Sequence, residues 1–189
     1  ITISSGNLII PDSIIHGGDS NTKIRFPAND QFTVETSGTE RFKITDSIAI
    51  FNDGGADFDF KCEGDTDTAL LYVEAGTDRI GIGTDSPSTK LHVKGSGTDI
   101  LKIESTATGA QGTNLILQHS PGAGNMANDD VISLIQFNGV DGSNAATTYA
   151  SIRTVATNVA NNSETGDLTF HSRNGSTFGE RVRIDKLGR

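Results

Sequence analysis

Cys62 is the only thiol among 189 residues, so no intrachain disulfide is possible and no structural zinc can be held by thiolates of one chain. It alternates with Phe58 and Phe60, and the expectation is a small core residue on a strand rather than a reactive thiol. Asp65 and Asp67 have the spacing that opens a calcium loop. Such a loop needs a carboxylate at its twelfth position, where this chain has Gly76. A solvated turn is the simpler reading, with a weak ion site between chains as the other. His16, His92, His119 and His171 are scattered; His92, between Leu91 and Val93, is expected to face outward or into a contact between chains. The string Gly122-Ala123-Gly124-Asn125-Met126-Ala127 has the form of a dinucleotide loop. That loop needs a helix after it to face the pyrophosphate. Asn128-Asp129-Asp130 and a strand-like run follow instead, and Pro121 precedes, so a turn is expected.

Nucleophilic chemistry has no starting point here. There is no Gly-x-Ser-x-Gly elbow and no His-Glu-x-x-His pair. Paired carboxylates could hydrolyse glycosides, but only the fold can set their separation. Aromatic residues are 6% of the chain and Trp is absent, which disfavours a sugar-stacking groove. The expectation is a non-enzymatic protein with no catalytic, cofactor-binding or metal residues and no cofactor.

The elements that would carry such residues read as strands. Apolar residues two apart recur at Ile24/Phe26, Phe32/Val34, Phe42/Ile44, Phe58/Phe60, Leu71/Val73, Ile80/Ile82, Leu91/Val93, Leu101/Ile103, Leu115/Leu117, Ile135/Phe137, Leu168/Phe170 and Val182/Ile184. Period two means a strand with one buried face. Between these runs lie turn-forming clusters such as Gly17-Gly18-Asp19-Ser20-Asn21 and Asp53-Gly54-Gly55. Helical periodicity is nearly absent; Asn128–Phe137, the best candidate, fits a strand as well, with Val131-Ile132 and Leu134-Ile135 apolar on both faces. An all-β fold is predicted.

Gly95-Ser96-Gly97 is the expected joint between residues 1–95, with short, closely spaced strands, and residues 96–189, with longer strands and polar loops at 120–130, 141–148 and 158–167. The pentapeptides Glu40-Arg41-Phe42-Lys43-Ile44 and Glu180-Arg181-Val182-Arg183-Ile184 share one pattern of acid, Arg, apolar, base, Ile. Each follows a turn containing Gly, and a reused strand-end module is expected. The chain begins at Ile1 and stops at Gly188-Arg189, and it is expected to be a segment of something longer.

Net charge is −9 and no basic stripe is present, so nucleic acid is not an expected partner. No apolar run approaches the ~18–20 residues of a membrane span, and membrane insertion is not expected either. Apolar residues are 34% of the chain, below the usual ~45–50%. Two or three inward side chains per strand return a few kcal/mol, against ~1–2 kcal/mol of backbone entropy per ordered residue. Such strands need partners, and identical copies can close both the sheet edges and the apolar faces.

The stretch Asp78–Gly97, D-R-I-G-I-G-T-D-S-P-S-T-K-L-H-V-K-G-S-G, resembles a segment of bacteriophage tail fibres and related virion fibres: a Gly-Ile-Gly-Thr strand, a Ser/Thr-Pro turn, then Leu-His-Val. Ile24–Asp46 is similar to strand units of marine-phage fibre proteins. Gly179–Gly188, G-E-R-V-R-I-D-K-L-G, is similar to the end of a domain that such fibres place before another Gly-Ile-Gly-Thr unit. The resemblance implies an elongated, intertwined homotrimeric fibre, with 1–95 as shaft and a β-sandwich-like domain over 96–189, continuing past Arg189. It implies a structural role in a virion, tail or baseplate proteins as neighbours, and support of host-cell attachment. A host-receptor or glycan-binding head within 98–189 is the alternative; a polysaccharide-degrading tailspike and a bacterial surface filament are weaker ones. Some such fibres hold metal through His-x-His pairs, and this chain has none.

Overall fold

The computed structural model describes residues 9–110, 112–122 and 124–189. Every regular element among them is a strand, and the fold is all-β. The chain divides into two units, Ile1–Glu104 and Ser105–Arg189.

Unit 1 holds two sheets. The first is a five-stranded antiparallel meander of β1 (Ser13–His16), β2 (Asp19–Arg25), β3 (Phe32–Thr36), β4 (Thr39–Ile44) and β5 (Ala49–Phe51), in chain order. The second contains β6 (Phe60–Cys62), β7 (Leu71–Glu74), β8 (Arg79–Ile82) and β9 (Leu91–Val93), again in chain order. Unit 2 is one four-stranded antiparallel sheet of β10 (Val131–Val140), β11 (Ala146–Asn158), β12 (Thr165–Asn174) and β13 (Thr177–Ile184). The expected sandwich-like domain is therefore a single layer within this unit. No second sheet of unit 2 is present among the described residues to cover it.

Register sorts the side chains into two unlike faces. On the first sheet Ile14, Ile24, Val34, Phe42 and Phe51 lie in one cross-strand row, with Phe32, Ile44 and Ala49 in the next. The opposite face carries Lys23, Arg25, Thr33, Glu35 and Lys43. Burial follows the polar face. Thr33 is 1% exposed and Glu35 8%, whereas Phe51 is 52% exposed. Long cationic side chains cause this: Lys23 and Arg25 reach Glu35 at 3.3 and 3.2 Å, and Lys43 reaches Asp53 at 3.0 Å, so their stems roof the small residues between them.

Unit 2 repeats the arrangement. Ile135, Ile152, Phe170 and Val182 form an apolar row, and Arg153, Thr169 and Arg183 a polar one. Thr169 is fully covered, and Asp167 is buried under Arg183 at 2.5 Å. The pentapeptide echo lies in this shared design. In each copy it occupies the second strand of a hairpin, with Lys43 opposite Thr33 and Arg183 opposite Thr169. Each hairpin also carries a bulge just past the apolar partner, at Val34/Glu35 and at Phe170/His171.

The two roofed threonines differ in one respect. The Thr169 hydroxyl donates to the Arg153 carbonyl at 3.3 Å, while the Thr33 hydroxyl is buried without a partner. An orphaned buried hydroxyl costs stability, and a bonded one repays its burial. Thr33→Val is expected to be neutral or stabilising by up to about 1 kcal/mol, and Thr169→Val to cost about 1 kcal/mol. Urea denaturation of the two variants measures the difference; equal effects would contradict the assignment.

Two alternating runs form no strand. Leu101/Ile103 and Leu115/Leu117 lie in chain without regular structure, and no described strand pairs with them. The expected loop at 141–148 is also shorter than the sequence suggests. Asp141 accepts hydrogen bonds from the amides of Ser143 and Ala145 at 2.8 and 3.0 Å, and the strand resumes at Ala146.

Candidate functional site

The structure places the residues whose types suggested chemistry in separate parts of the fold. Cys62 is exposed, which corrects the expectation of a core thiol. The strand assignment holds, but Cys62 pairs with Leu71 on the open apolar face, so its side chain lacks cover within this chain. Asp67 caps a turn, accepting from the Ala69 amide at 2.8 Å. In the Gly122–Ala127 string Ala123 lies outside the described residues. A turn at Asn128-Asp129 follows and then β10, so no helix meets this loop.

The four histidines stay apart. His16 ends β1 and His119 is exposed in unpaired chain. His92 lies opposite Gly81 on the polar face of β6–β9, where its Nδ1 accepts from the Ser88 amide at 3.4 Å. His171 stacks on Phe178 at 5.9 Å between ring centroids and lies 3.2 Å from the Thr169 hydroxyl. Burial, with Arg153 as a second cause, holds its imidazole below the ordinary histidine range.

One carboxylate cluster was not legible from spacing. Asp57, Asp59 and Glu74 bring oxygens within 4.8 Å of one another, because the pairing of Phe60 with Val73 sets the chain just before β6 beside the end of β7. Donors of the protein already serve two of the three. Asp59 accepts from the Tyr72 hydroxyl and from the Ala75 amide, the latter at 2.9 Å. Glu74 accepts from the Thr77 hydroxyl and from its amide, the latter at 3.1 Å. The bonds from Tyr72 and Ala75 lower the Asp59 carboxyl below its ordinary range, with the Tyr72 bond as the largest cause. The same bond pushes the Tyr72 phenol up to about 12.

That pairing gives a pH signature. Tyr72 has its folded pKa above the ordinary value of 10.0, so the unfolded chain loses this proton first. The stabilisation is complete below pH 10 and is lost as pH rises toward 12. The chain has two tyrosines and no tryptophan, so a Tyr149→Phe background isolates Tyr72 for ultraviolet titration. Its midpoint is expected near 12, falling by at least about one unit when Asp59→Asn removes the acceptor charge. An unmoved midpoint would remove the bond from the account.

The sheets also carry open apolar faces. In β6–β9 the row Phe60, Val73, Ile80, Leu91 lies beside Cys62 with Leu71 and Ile82 with Val93, all on one face. The other face carries Lys61, Tyr72, Gly81 and His92. Within unit 1 a ladder of rings runs Phe26, Phe32, Phe42, Phe51, Phe60, with successive centroids 5.9, 6.4, 4.6 and 4.8 Å apart. Its last step joins the apolar face of β1–β5 to that of β6–β9. In unit 2 Ile135, Phe137, Val182 and Ile184 are each between 41 and 54% exposed. Apart from Pro87, the buried hydrophobic side chains among the described residues are Ala69 and Ala156, at 5 and 3% exposure.

The Gly-Ile-Gly-Thr segment closes tightly. β8 and β9 run parallel, with Ile80 beside Leu91 and Ile82 beside Val93. Residues 83–90 connect them, and Thr84 and Pro87 are buried there. A Cβ at Gly81 would strike the Thr84 carbonyl oxygen, and one at Gly83 the Lys94 carbonyl oxygen. The two glycines thus permit close backbone approach on both sides of Ile82. A scan against protein-family models gives no match, and no curated protein matches the chain at a significant level.

Proposed function

We propose that this chain is a structural, non-enzymatic segment of a virion fibre of the phage tail-fibre kind, working as a homotrimer that supports attachment to a host cell. The observation that carries the reading is the inverted burial: polar faces are roofed by their own side chains while the apolar faces stand open. A contiguous apolar surface of this size marks an interaction site. In unit 2 alone, Ile135, Phe137, Ile152, Leu168, Phe170, Val182 and Ile184 share that face. Completing their burial is worth on the order of 5–10 kcal/mol per copy, comparable to the ~4–15 kcal/mol that association costs. Identical copies suit the role, because one uncharged row on each sheet can face its own equivalents without like charges meeting. The choice of three copies, and of a virion as the setting, comes from the resemblance of Asp78–Gly97 and its companions to phage fibres.

Light scattering on the purified chain at micromolar concentration tests this. The expected mass is three times the 19.9 kDa of one chain. A stable, soluble monomer would end the fibre reading.

A further inference from the structure

Residues 96–121 contain two runs that alternate like strands, yet among the described residues no main-chain hydrogen bond involves them. Leu101, Ile103, Leu115, Ile116 and Leu117 are between 44 and 77% exposed. A stretch of this length with no main-chain partner among the described residues, and with its leucines open, is unusual in a folded unit, because both the backbone and the apolar side chains want burial together.

A matching vacancy exists at one sheet edge. β10 is a ten-residue edge strand, VISLIQFNGV, with neither a charge nor a proline. Edge strands are normally guarded by such residues, because an open edge recruits other chains. Bulges interrupt β10 at Val131/Ser133 and at Phe137/Asn138, leaving Ser133–Phe137 regular between them. That run is apolar on both faces, with Ile135 and Phe137 on one and Leu134 on the other. The segment Asn114–His119, N-L-I-L-Q-H, is also free of Asp, Glu, Lys and Arg. It offers Leu115 and Leu117 to one face and Ile116 to the other. The other edge strand, β13, fits worse, since Glu180 and Arg183 line its polar side.

We infer that Asn114–His119 is an exchanged strand: in the assembled protein it pairs with the free edge of β10 in a second copy of this chain. Leu115 and Leu117 extend the Ile135/Phe137 face, and Ile116 packs beside Leu134. This rests on the self-association proposed above, and it adds which segment crosses between copies and where it lands. It also accounts for the open β10 edge, which association through the apolar faces alone leaves bare.

Hydrogen exchange on the intact oligomer tests it. The amides of 114–118 are expected to exchange at least about a hundredfold slower than free chain, and Leu117→Pro, which removes a donor, is expected to abolish that protection and speed exchange along β10. In a Cys62→Ser background, coexpressed copies carrying Ile116→Cys and either Leu134→Cys or Gln136→Cys are expected to form an intercopy disulfide. An oligomer whose 114–118 amides exchange as free chain would overturn the exchanged strand while leaving the trimer standing. Protection that survives in dissociated monomers would place the pairing within one chain and overturn it too. Protection without any disulfide would rule out the β10 edge. A monomer with an unprotected segment would end this inference and the fibre reading together.

Discussion

Ile152→Asp is expected to convert the assembled protein to monomers while its strand content persists. Ile152 sits at the middle of unit 2's apolar face, with Ile135 on one side and Phe170 on the other. Its main-chain ladder to both neighbouring strands does not depend on the side chain, so the sheet survives. The carboxylate removes an apolar contact and must either lose its water or hold the copies apart, which costs roughly 3 kcal/mol per copy, or about a hundredfold in association for each. Light scattering and circular dichroism together read the outcome. Asn162→Asp, which places the same charge in the exposed turn between β11 and β12, is expected to leave the assembly intact. If Ile152→Asp assembles as well as the parent chain, the apolar face is not the interface.

The second large effect belongs to Gly81. It pairs with Tyr72 on one side and His92 on the other, on the face across which residues 83–90 fold back. The atom that a Cβ would meet is the Thr84 carbonyl oxygen, which is main chain and cannot swing aside like the tip of a lysine. Gly81→Ala must therefore shift the connection, unseat the buried Thr84 and Pro87, and strain the β8–β9 pairing. The expected cost is roughly 3 kcal/mol, read as a drop of about 10 °C or more in the melting of unit 1. Gly83→Ala meets the Lys94 carbonyl and also forces a side chain onto a residue at φ +71°, so it is expected to cost at least as much. Gly97→Ala, where nothing lies within reach of a Cβ, is the control. A Gly81→Ala protein that melts with the parent would mean that residues 83–90 do not lie over β8.

The second prediction begins from a feature legible in the chain, the glycine spacing in Gly-Ile-Gly-Thr; the first rests on the pairing of Ile152 with Ile135 and Phe170, which only the fold shows. The strand class and the turn positions were also legible, because period two and turn residues are local properties. β11 was harder to read. In Ala146–Asn158 the residues between Ile152 and its neighbours are Thr, Ala and Ser, which suggest loop as readily as strand. They suffice because that face is covered, with Ser151 2% exposed and Arg173 reaching across to the Thr148 carbonyl at 2.9 Å, so small polar residues fill it and large apolar ones are not needed.

The sequence by itself determined that each strand has two unlike faces, that the fold is all-β and that hairpins repeat a common acid-Arg-apolar-base-Ile strand. Tertiary structure alone decided which face each unit buries. Composition predicts that leucines and phenylalanines go inside, yet here Thr33, Glu35, Asp167 and Thr169 are covered and Phe51 and Val182 are open. The reason is that one sheet layer has only its own side chains to cover it. Long lysines and arginines can reach across neighbouring strands to roof a polar face, whereas short aliphatic and aromatic side chains cannot roof an apolar one.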